Sequence, residues 1–226
     1  MTSKIKIALI GDNVSVDNLE EQVLQQTARK LKLDCQYDRL DSDAFQRLSP
    51  DDMSSFDAFW VGSGPFKNDN GVFEAIKFAR INNFPLLATC LGSKYIVWEF
   101  AKNVLDEDPR EYRKYVTVSD EETDHVDLII KPNTSAFDCY THDEVSEAVR
   151  LQFKMNEEKL NELFSYNFVY SGEDEEGTTK IIEFIENDFY LATLFSPQLT
   201  QRRNMTYPLA KGLLQAAVEH KSYFVH

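Results

Sequence analysis

The chain has 226 residues, of which 42% are hydrophobic and 12% aromatic, and this is enough material for a single packed domain spanning residues 1–226. Its 38 acidic and 24 basic residues give a formal net charge of −14 at pH 7, and a surface this acidic argues against binding to nucleic acids or anionic membranes. No apolar run approaches the ~20 residues that a membrane-spanning helix requires, so the sequence also argues against a membrane protein.

Strands and helices alternate through the first half of the chain. Apolar or alternating runs predict four strands, and apolar residues at helical spacing predict three helices. The strands are residues 4–10, 34–40, 56–61 and 84–89, and the helices are residues 16–31, 71–82 and 93–104. This alternation predicts an α/β fold, with a doubly wound, mostly parallel central sheet and helices on both faces. Ligands of such sheets bind beyond the carboxyl ends of the strands.

The predicted strands become shorter from His125 onward, and turns separate them. They should extend or flank the central sheet. The charge-rich segment 106–127 is predicted to be an exposed connection. We expect small extra strands at 126–130, 149–153, 167–170, 180–185 and 189–195, a turn at 172–177, and helices at 156–163 and 207–220.

The three cysteines, Cys35, Cys90 and Cys139, form no Cys-x-x-Cys pair, which fits a reducing compartment and argues against disulfides or a zinc site. The first ten residues lack the apolar core of a secretory signal, so we expect a cytoplasmic protein. Cys35 and Cys139 are interpreted as inert. The carboxylates at 173–176 lack metal-ligand spacing, and we expect neither a metal ion nor a cofactor.

Cys90 is the most informative residue of the chain. It follows an apolar run and precedes an amphipathic helix, which predicts a sharp strand-to-helix turn, the arrangement known as a nucleophile elbow. The positive end of a helix lowers the pKa of a thiol and points backbone N–H groups at it. These features suggest acyl transfer through a thioester. The alternative interpretation is that Cys90 is a small apolar core residue.

Other candidate residues have ordinary structural alternatives. The Gly-Ser-Gly-Pro loop at 62–65 follows the third strand and could cradle an anion, although a turn needs no ligand. Arg202 and Arg203 could recognise a carboxylate or phosphate, or they could be a solvated pair. His142 lies beside two acidic residues and is the candidate for a substitute general base, with a surface loop histidine as the alternative.

Several segments together resemble class I glutamine amidotransferases. The resemblance is greatest to the glutaminase domains at the C-terminus of CTP synthase, and to stand-alone relatives that lack the synthetase half. It covers nearly the whole chain and implies a flavodoxin-like sheet. Residues 71–80, 83–92 and 99–105 carry the resemblance. The loop at 62–65 falls where the family has a Pro-Gly-Gly loop, and residues 192–198 fall where it has a Phe-His-Pro-Glu signature.

In active members of this family a cysteine attacks the side-chain amide of glutamine, a histidine carries the proton to the leaving ammonia, and a glutamate orients the histidine. The resemblance implies that Cys90 is the nucleophile and that the backbone N–H of Leu91, followed by Gly92, is one oxyanion donor. The backbone of Ser63 or Gly64 would supply the other donor.

Several positions depart from the family pattern. Ser196 stands in place of the histidine and Gln198 in place of the glutamate, and neither side chain can carry a proton near neutral pH or hold an imidazolium by charge. Lys94 replaces a glutamine that helps to bind substrate. Arg150 is retained from an Arg-His-Arg-Tyr-Glu-Val-Asn motif, whereas the second arginine of that motif is Gln152.

Three functions remain open at this point. The first is a pseudo-amidotransferase that binds a small amide, an amino acid or a protein partner through the inherited pocket. The second is a thiol-dependent hydrolase or transferase that uses Cys90 with a different base. The third is a weak glutaminase that supplies ammonia to a separate synthetase, which the resemblance would place in pyrimidine metabolism.

Overall fold

The computed structural model describes residues 4–12, 19–119, 123–151, 153–200 and 206–223. In the first half, strands and helices alternate as the sequence predicts. The elements are β1 (Lys4–Ile10), α1 (Leu19–Leu31), β2 (Asp34–Leu40), α2 (Ser42–Arg47), α3 (Pro50–Met53), β3 (Ala58–Val61), α4 (Asp69–Ile81), β4 (Leu86–Thr89) and α5 (Leu91–Asn103).

The second half contains shorter elements and closes with a long helix. The elements are α6 (Pro109–Tyr112), β5 (Val116–Val118), β6 (His125–Ile130), α7 (Ser135–Tyr140), β7 (Glu144–Ala148), β8 (Phe153–Met155), α8 (Glu157–Phe164), β9 (Phe168–Asp174), β10 (Thr179–Phe184), β11 (Tyr190–Thr193) and α9 (Pro208–Tyr223).

One nine-stranded sheet organises the described residues, in the order β2-β1-β3-β4-β11-β10-β9-β6-β7. The first five strands in this order pair in parallel, and the remaining four continue the sheet antiparallel. The predicted α/β class, with a mostly parallel sheet and extra strands from the C-terminal half, is confirmed. A separate two-stranded antiparallel sheet joins β5 to β8.

Helices cover both faces of the sheet, and side chains alternate between the two layers. In β4, Leu86 and Ala88 pack in the layer formed with α4, α5 and α8, whereas Leu87 packs in the layer formed with α1, α7 and α9. All three side chains are buried, which is the pattern of a strand covered on both sides. Trp60 and Trp98 belong to these two layers and are buried, as core residues should be.

The register of the parallel strands brings three strand ends together. Val61 of β3 pairs with Ala88 of β4, and Thr89 of β4 pairs with Thr193 of β11. The segments that follow β3, β4 and β11 therefore leave the sheet side by side at its carboxyl edge. The end of β7 lies at this edge as well, because Ala148 pairs with His125 and accepts a hydrogen bond from the Ser196 N–H at 2.9 Å.

Several elements differ from the sequence prediction. The segment 106–127 is not simply an exposed connection, because it forms α6 and β5 and its Tyr115 is buried. The strand expected at 149–153 is wrong: β7 ends at Ala148, residues 149–151 are irregular, and β8 begins at Phe153. The apolar pattern was misleading because β7 is polar. Its Glu147 is buried, and its carboxylate accepts hydrogen bonds from Tyr140 and Thr200.

Four short helices, α2, α3, α6 and α7, were missed. Each begins at a side chain that accepts hydrogen bonds from the first turn, namely Asp41, Ser49, Asp108 and Thr134. In the part of the chain that is described, no helix is long and apolar enough to cross a bilayer.

Candidate functional site

Cys90 lies between β4 and α5 with φ 55° and ψ −121°, so the predicted strand-to-helix turn is present. A positive φ at a non-glycine residue costs about 1–3 kcal/mol and persists only where neighbouring contacts enforce it. Here the Cys90 N–H donates to the carbonyls of Thr193 at 3.0 Å and Phe195 at 3.1 Å. The Cys90 carbonyl accepts from the Ser93 N–H at 3.1 Å and from its hydroxyl at 2.6 Å.

The Cys90 side chain is enclosed, and the residue is only 1% exposed. Burial raises the pKa of the Cys90 thiol, although the Ser196 hydroxyl, the Leu91 N–H, the Arg150 charge and the Leu151 N–H each oppose that rise. The expectation that the helix end lowers this pKa is therefore wrong in its net direction. The helix does lower it, but desolvation of the sulfur has the larger effect.

Ser196 and Gln198 lie next to the thiol turn, in the segment that follows β11. Ser196 is fully buried, and its hydroxyl is close enough to the sulfur to affect the thiol pKa. Even so, Ser196 Oγ and Gln198 Oε1 make no hydrogen bond of ordinary geometry within the described part of the chain. A buried polar atom without a partner costs about 1–3 kcal/mol, and such atoms are uncommon outside functional sites.

The loop after β3 packs directly against the first turn of α5. A Cβ on Gly92 would lie 2.6 Å from the carbonyl oxygens of Gly62 and Val61, so only glycine allows this approach. Gly64 has φ +65°, and a Cβ there would lie 3.2 Å from the Leu91 Cβ. The structure thus places the 62–65 loop beside Leu91 and Gly92, as the sequence predicts.

A narrow cavity of about 30 Å³, with room for one or two water molecules, adjoins this loop. Its lining includes Ser63, Gly64, Arg150 and Gln198, but not Cys90. Gln198 Nε2 donates to Ser63 Oγ at 2.6 Å.

Glu20 and Arg39 line the same cavity and were not predicted, because they occupy ordinary polar positions of a helix and a strand. Arg39 Nη2 lies 3.5 Å from Glu20 Oε2, and Ser63 Oγ donates to Glu20 Oε1 at 3.3 Å.

Lys94 is four residues after Cys90 and so lies on the same side of α5. It is half-buried, with Nζ 4.6 Å from the centre of the Trp98 ring. Burial lowers the pKa of Lys94, Asp69 and Cys90 act to raise it, and Arg113 acts to lower it further. Among the described residues Lys94 contacts no carboxylate, because Asp69 already accepts from the Tyr95 hydroxyl at 2.6 Å and pairs with Arg113 at 3.2 Å.

No described histidine is among the main influences on the Cys90 thiol. His142 precedes β7, at the end opposite Ala148, so the proposed substitute base is not brought to the thiol. His125 begins β6 opposite Ala148, and its exposed ring pairs with the Asp124 carboxylate at 2.8 Å. His220 packs against Phe84, before the start of β4, with the ring centroids 4.2 Å apart. His226, Gln152, Arg202 and Arg203 lie outside the described residues.

Cys35 and Cys139 are free thiols whose pKa values burial raises to about 12. Within the ranges that the structure covers, no group of three His, Cys, Asp or Glu side chains could hold a metal ion.

Comparison with known proteins places this arrangement in a family. The family model described as glutamine amidotransferase class-I matches residues 14–216. CTP synthase of Staphylococcus haemolyticus is 30% identical over 243 residues, which cover 96% of this chain and 45% of that protein. CTP synthase of Staphylococcus saprophyticus is 28% identical over 98% of this chain and 46% of its own length. The chain thus spans about half the length of the curated relatives it matches.

Solved structures show the same fold. The glutaminase domain of Trypanosoma brucei CTPS, solved with bound acivicin, superposes with a TM-score of 0.82 at 19% identity, covering 96% of this chain and 94% of that one. A glutamine amido transferase from Methylobacillus flagellatus gives a TM-score of 0.55 at 11% identity, with coverage of 98% and 95%. The chain belongs to the class I glutamine amidotransferase family and is related to the glutaminase domain of CTP synthase.

Proposed function

We propose that this protein is a single-domain pseudo-amidotransferase, which keeps the nucleophile elbow and the ligand pocket of its family but does not hydrolyse glutamine efficiently. The observation that carries the proposal is the set of groups around Cys90. Ser196 and Gln198 stand in the segment beside the thiol turn where the family resemblance places a histidine and a glutamate, and no described histidine is among the main influences on the thiol.

A thiol at this position needs a base before it can attack an amide. The pKa of Cys90 is raised by burial, so the sulfur stays protonated at neutral pH and is a poor nucleophile. Loss of a general acid–base group alone costs about 10²–10⁴-fold in rate. The leaving ammonia also needs a proton, and a serine hydroxyl does not supply one at neutral pH.

Binding does not depend on that proton transfer. Arg150 and Gln198 line the cavity, and Gln198 Oε1 accepts no hydrogen bond from the described residues. The Leu91 N–H and the backbone of the Ser63–Gly64 loop can hold a ligand oxygen as they would hold an oxyanion. These groups support a role in binding a small amide or amino-acid-like molecule.

The decisive experiment is ammonia release from L-glutamine by the purified protein. We expect the wild type to release no more ammonia than Cys90→Ala. The double variant Ser196→His/Gln198→Glu restores the residue types of the family signature, and we expect it to exceed the wild type. Melting temperatures establish that each variant is folded. Wild-type release well above that of Cys90→Ala would refute the proposal.

The curated relatives are about twice as long as this chain. Because those relatives carry the name CTP synthase, we further propose that this domain acts together with a synthetase-type unit. Co-purification from the native source tests that association. Mass spectrometry should identify a synthetase-type protein, and its co-purification should be lost when exposed residues around the pocket are substituted. If ammonia release is absent but co-purification occurs, the role is one of binding or regulation rather than ammonia supply.

A further inference from the structure

One edge of the central sheet is open. β7 is the last strand in the order of the nine-stranded sheet, and among the described residues β6 is the strand that pairs with it. The Ile130 N–H donates to the Asp143 carbonyl at 2.7 Å, and the Val149 N–H donates to the Asp124 carbonyl at 2.9 Å. In an antiparallel pair such bonds recur at every second residue, so the alternate residues between Asp143 and Val149 also bond to β6.

The backbone groups of Glu144 and Ser146 therefore point away from β6. Ala148 is the next residue in this alternation and shows the direction. Its N–H donates to Thr200 Oγ1 at 2.9 Å, and its carbonyl accepts from the Ser196 N–H at 2.9 Å. The segment after β11 thus covers the last residue of the β7 edge. Within the described ranges no backbone hydrogen bond engages the outer side of Glu144 or Ser146, which leaves these groups available to another strand.

An open groove of about 440 Å³ lies beside this edge, and we refer to it as the β7 groove. Its lining includes the exposed carboxylates of Asp127, Glu144 and Glu175. Ile129 pairs with Glu144, and both side chains point to the same face of the sheet. Ile129 is 42% exposed, so the β7 groove combines an exposed apolar side chain with three carboxylates.

The negative charge of the β7 groove is not neutralised by the part of the chain that the structure describes. The neighbouring cations have other partners, because His125 pairs with Asp124 and Lys131 pairs with Glu173. No ion pair between described residues includes a carboxylate of the groove. A second copy of β7 would bring the same carboxylates against these, and like charges on facing strands repel. The charge of the groove therefore favours a basic occupant.

We infer that β7 is a docking edge for an extended, basic segment of a partner protein, which joins the sheet as a further antiparallel strand. The residues of that strand opposite Glu144 and Ser146 would exchange backbone hydrogen bonds with them and place their side chains on the face of the β7 groove. The residue between them lies on the opposite face, beside Val145. The expected partner sequence is therefore basic, apolar, basic. Backbone pairing supplies affinity and the alternate side chains supply specificity.

This inference does not depend on the proposed function, because the β7 groove and the cavity beside the 62–65 loop share no lining residue. The test is isothermal titration calorimetry of the full chain with the acetylated and amidated peptide Lys-Val-Lys-Val-Lys. We expect binding that weakens as sodium chloride rises, because salt screens the ion pairs. Nuclear magnetic resonance should show slower hydrogen exchange of the Glu144 and Ser146 amides in the complex.

A second peptide separates strand pairing from simple attraction of charge. It is the same peptide with its lysine backbone nitrogens methylated, so it keeps the positive charge and loses the donors that would pair with β7. We expect its affinity to be at least about tenfold lower.

Variants of the protein test the edge and the charge separately. Ser146→Pro removes an outward N–H and keeps the hydrogen bonds to β6, so we expect the peptide to bind about tenfold more weakly. Glu144→Gln/Glu175→Gln should weaken binding by a similar factor. The matched control is Glu74→Gln/Glu219→Gln, which removes the same net charge at exposed positions of α4 and α9 and should leave peptide affinity unchanged. Melting temperatures establish that each variant is folded.

Four results would overturn the inference. They are no peptide binding at millimolar concentration, equal binding of the methylated peptide, equal loss of affinity in the two glutamate double variants, and unchanged affinity in folded Ser146→Pro. A dimer of this chain that Ser146→Pro abolishes, detected by analytical ultracentrifugation, would assign the edge to a second copy instead. Ammonia release does not enter any of these results, so the proposed function is judged separately.

Discussion

The side-chain amide of Gln198 donates a hydrogen bond to the Ser63 hydroxyl at 2.6 Å, and so joins the segment after β11 to the loop after β3. Ser63 passes the connection on to Glu20 at the start of α1. Gln198 thus links three segments of the pocket by hydrogen bonds, from the position where the family resemblance places a glutamate. The amide leaves the single Ser63 hydroxyl proton for Glu20, whereas a carboxylate at position 198 could only accept and would compete with Glu20 for that proton.

Gln198→Ala should therefore lower the free energy of unfolding by about 1 kcal/mol, because the Ser63 hydroxyl loses its donor. Urea unfolding followed by circular dichroism measures the loss. Gln36→Ala, at an exposed position of β2, is the control and should stay within about 0.5 kcal/mol of the wild type. Equal losses in the two variants would show that the Gln198–Ser63 bond contributes nothing to stability.

The reactivity of Cys90 should rise with pH. Its pKa is raised in the folded protein, so the thiolate fraction is small at pH 7 and increases only in alkaline solution. We expect iodoacetamide to label Cys90 more slowly than an unhindered thiol at pH 7, and faster as the pH rises above 9. Mass spectrometry of the labelled peptide measures the rate, with urea-unfolded protein as the reference.

Cys90→Ala identifies the signal, and Cys35 and Cys139 should also react slowly, because their pKa values are about 12. Rapid, stoichiometric labelling of Cys90 at pH 7 would instead favour a thiol-dependent enzyme.

A buried ion pair anchors the helix that carries the pocket residues. Arg80 of α4 donates from Nε to Glu99 Oε2 at 2.9 Å and from Nη2 to Oε1 at 2.7 Å, and Glu99 is fully buried. Arg80→Ala leaves that carboxylate without its cation, so we expect a loss of about 3–5 kcal/mol in the free energy of unfolding.

The exposed Lys114–Glu111 pair supplies the contrast for Arg80. Lys114→Ala should cost less than about 1 kcal/mol in the same assay. A small loss in Arg80→Ala as well would mean that water or another group reaches Glu99.

Gly92→Ala tests the close approach of α5 to the loop after β3. The added Cβ would lie 2.6 Å from two carbonyl oxygens, and backbone atoms cannot move aside as a flexible side chain does. We expect a loss of at least about 2 kcal/mol and a weaker pocket. At Gly11 the added Cβ would meet only Arg39 Nη1, at 3.2 Å, so Gly11→Ala should cost under about 1 kcal/mol. The thermal melting temperature orders the two variants.

The strands of the parallel half could be predicted from the sequence, because strands that are buried on both faces consist of apolar runs. The apolar run that ends at Thr89 predicted β4, and Cys90 was predicted to be the turn residue after that strand. Polar strands carry no such signal. β7 was missed because its buried Glu147 is satisfied by Tyr140 and Thr200, which no local pattern reveals. The short helices had a local signal in their capping residues, such as Ser49 before Pro50.

At the site, the position of Ser196 beside Cys90 followed from the family resemblance, and the turn and the loop at 62–65 were predictable from the spacing of the segments. The sign of the thiol pKa shift was not, because it depends on how completely other segments cover the sulfur. Arg150 and Leu151 reach it from the irregular segment after β7, which the sequence assigned to a strand. Glu20 and Arg39 were missed because a shared cavity is a property of tertiary packing.

The position of β11 has a consequence for how the protein is made. This strand is the last one among the described residues, yet it sits between β4 and β10 at the centre of the sheet. Until it has been synthesised, the strands on one side have no lateral attachment to those on the other, and each half exposes an unpaired edge. The two halves can therefore be joined only after residues 190–193 have been synthesised, and a chain that ends between β10 and β11 leaves two open sheets prone to aggregation.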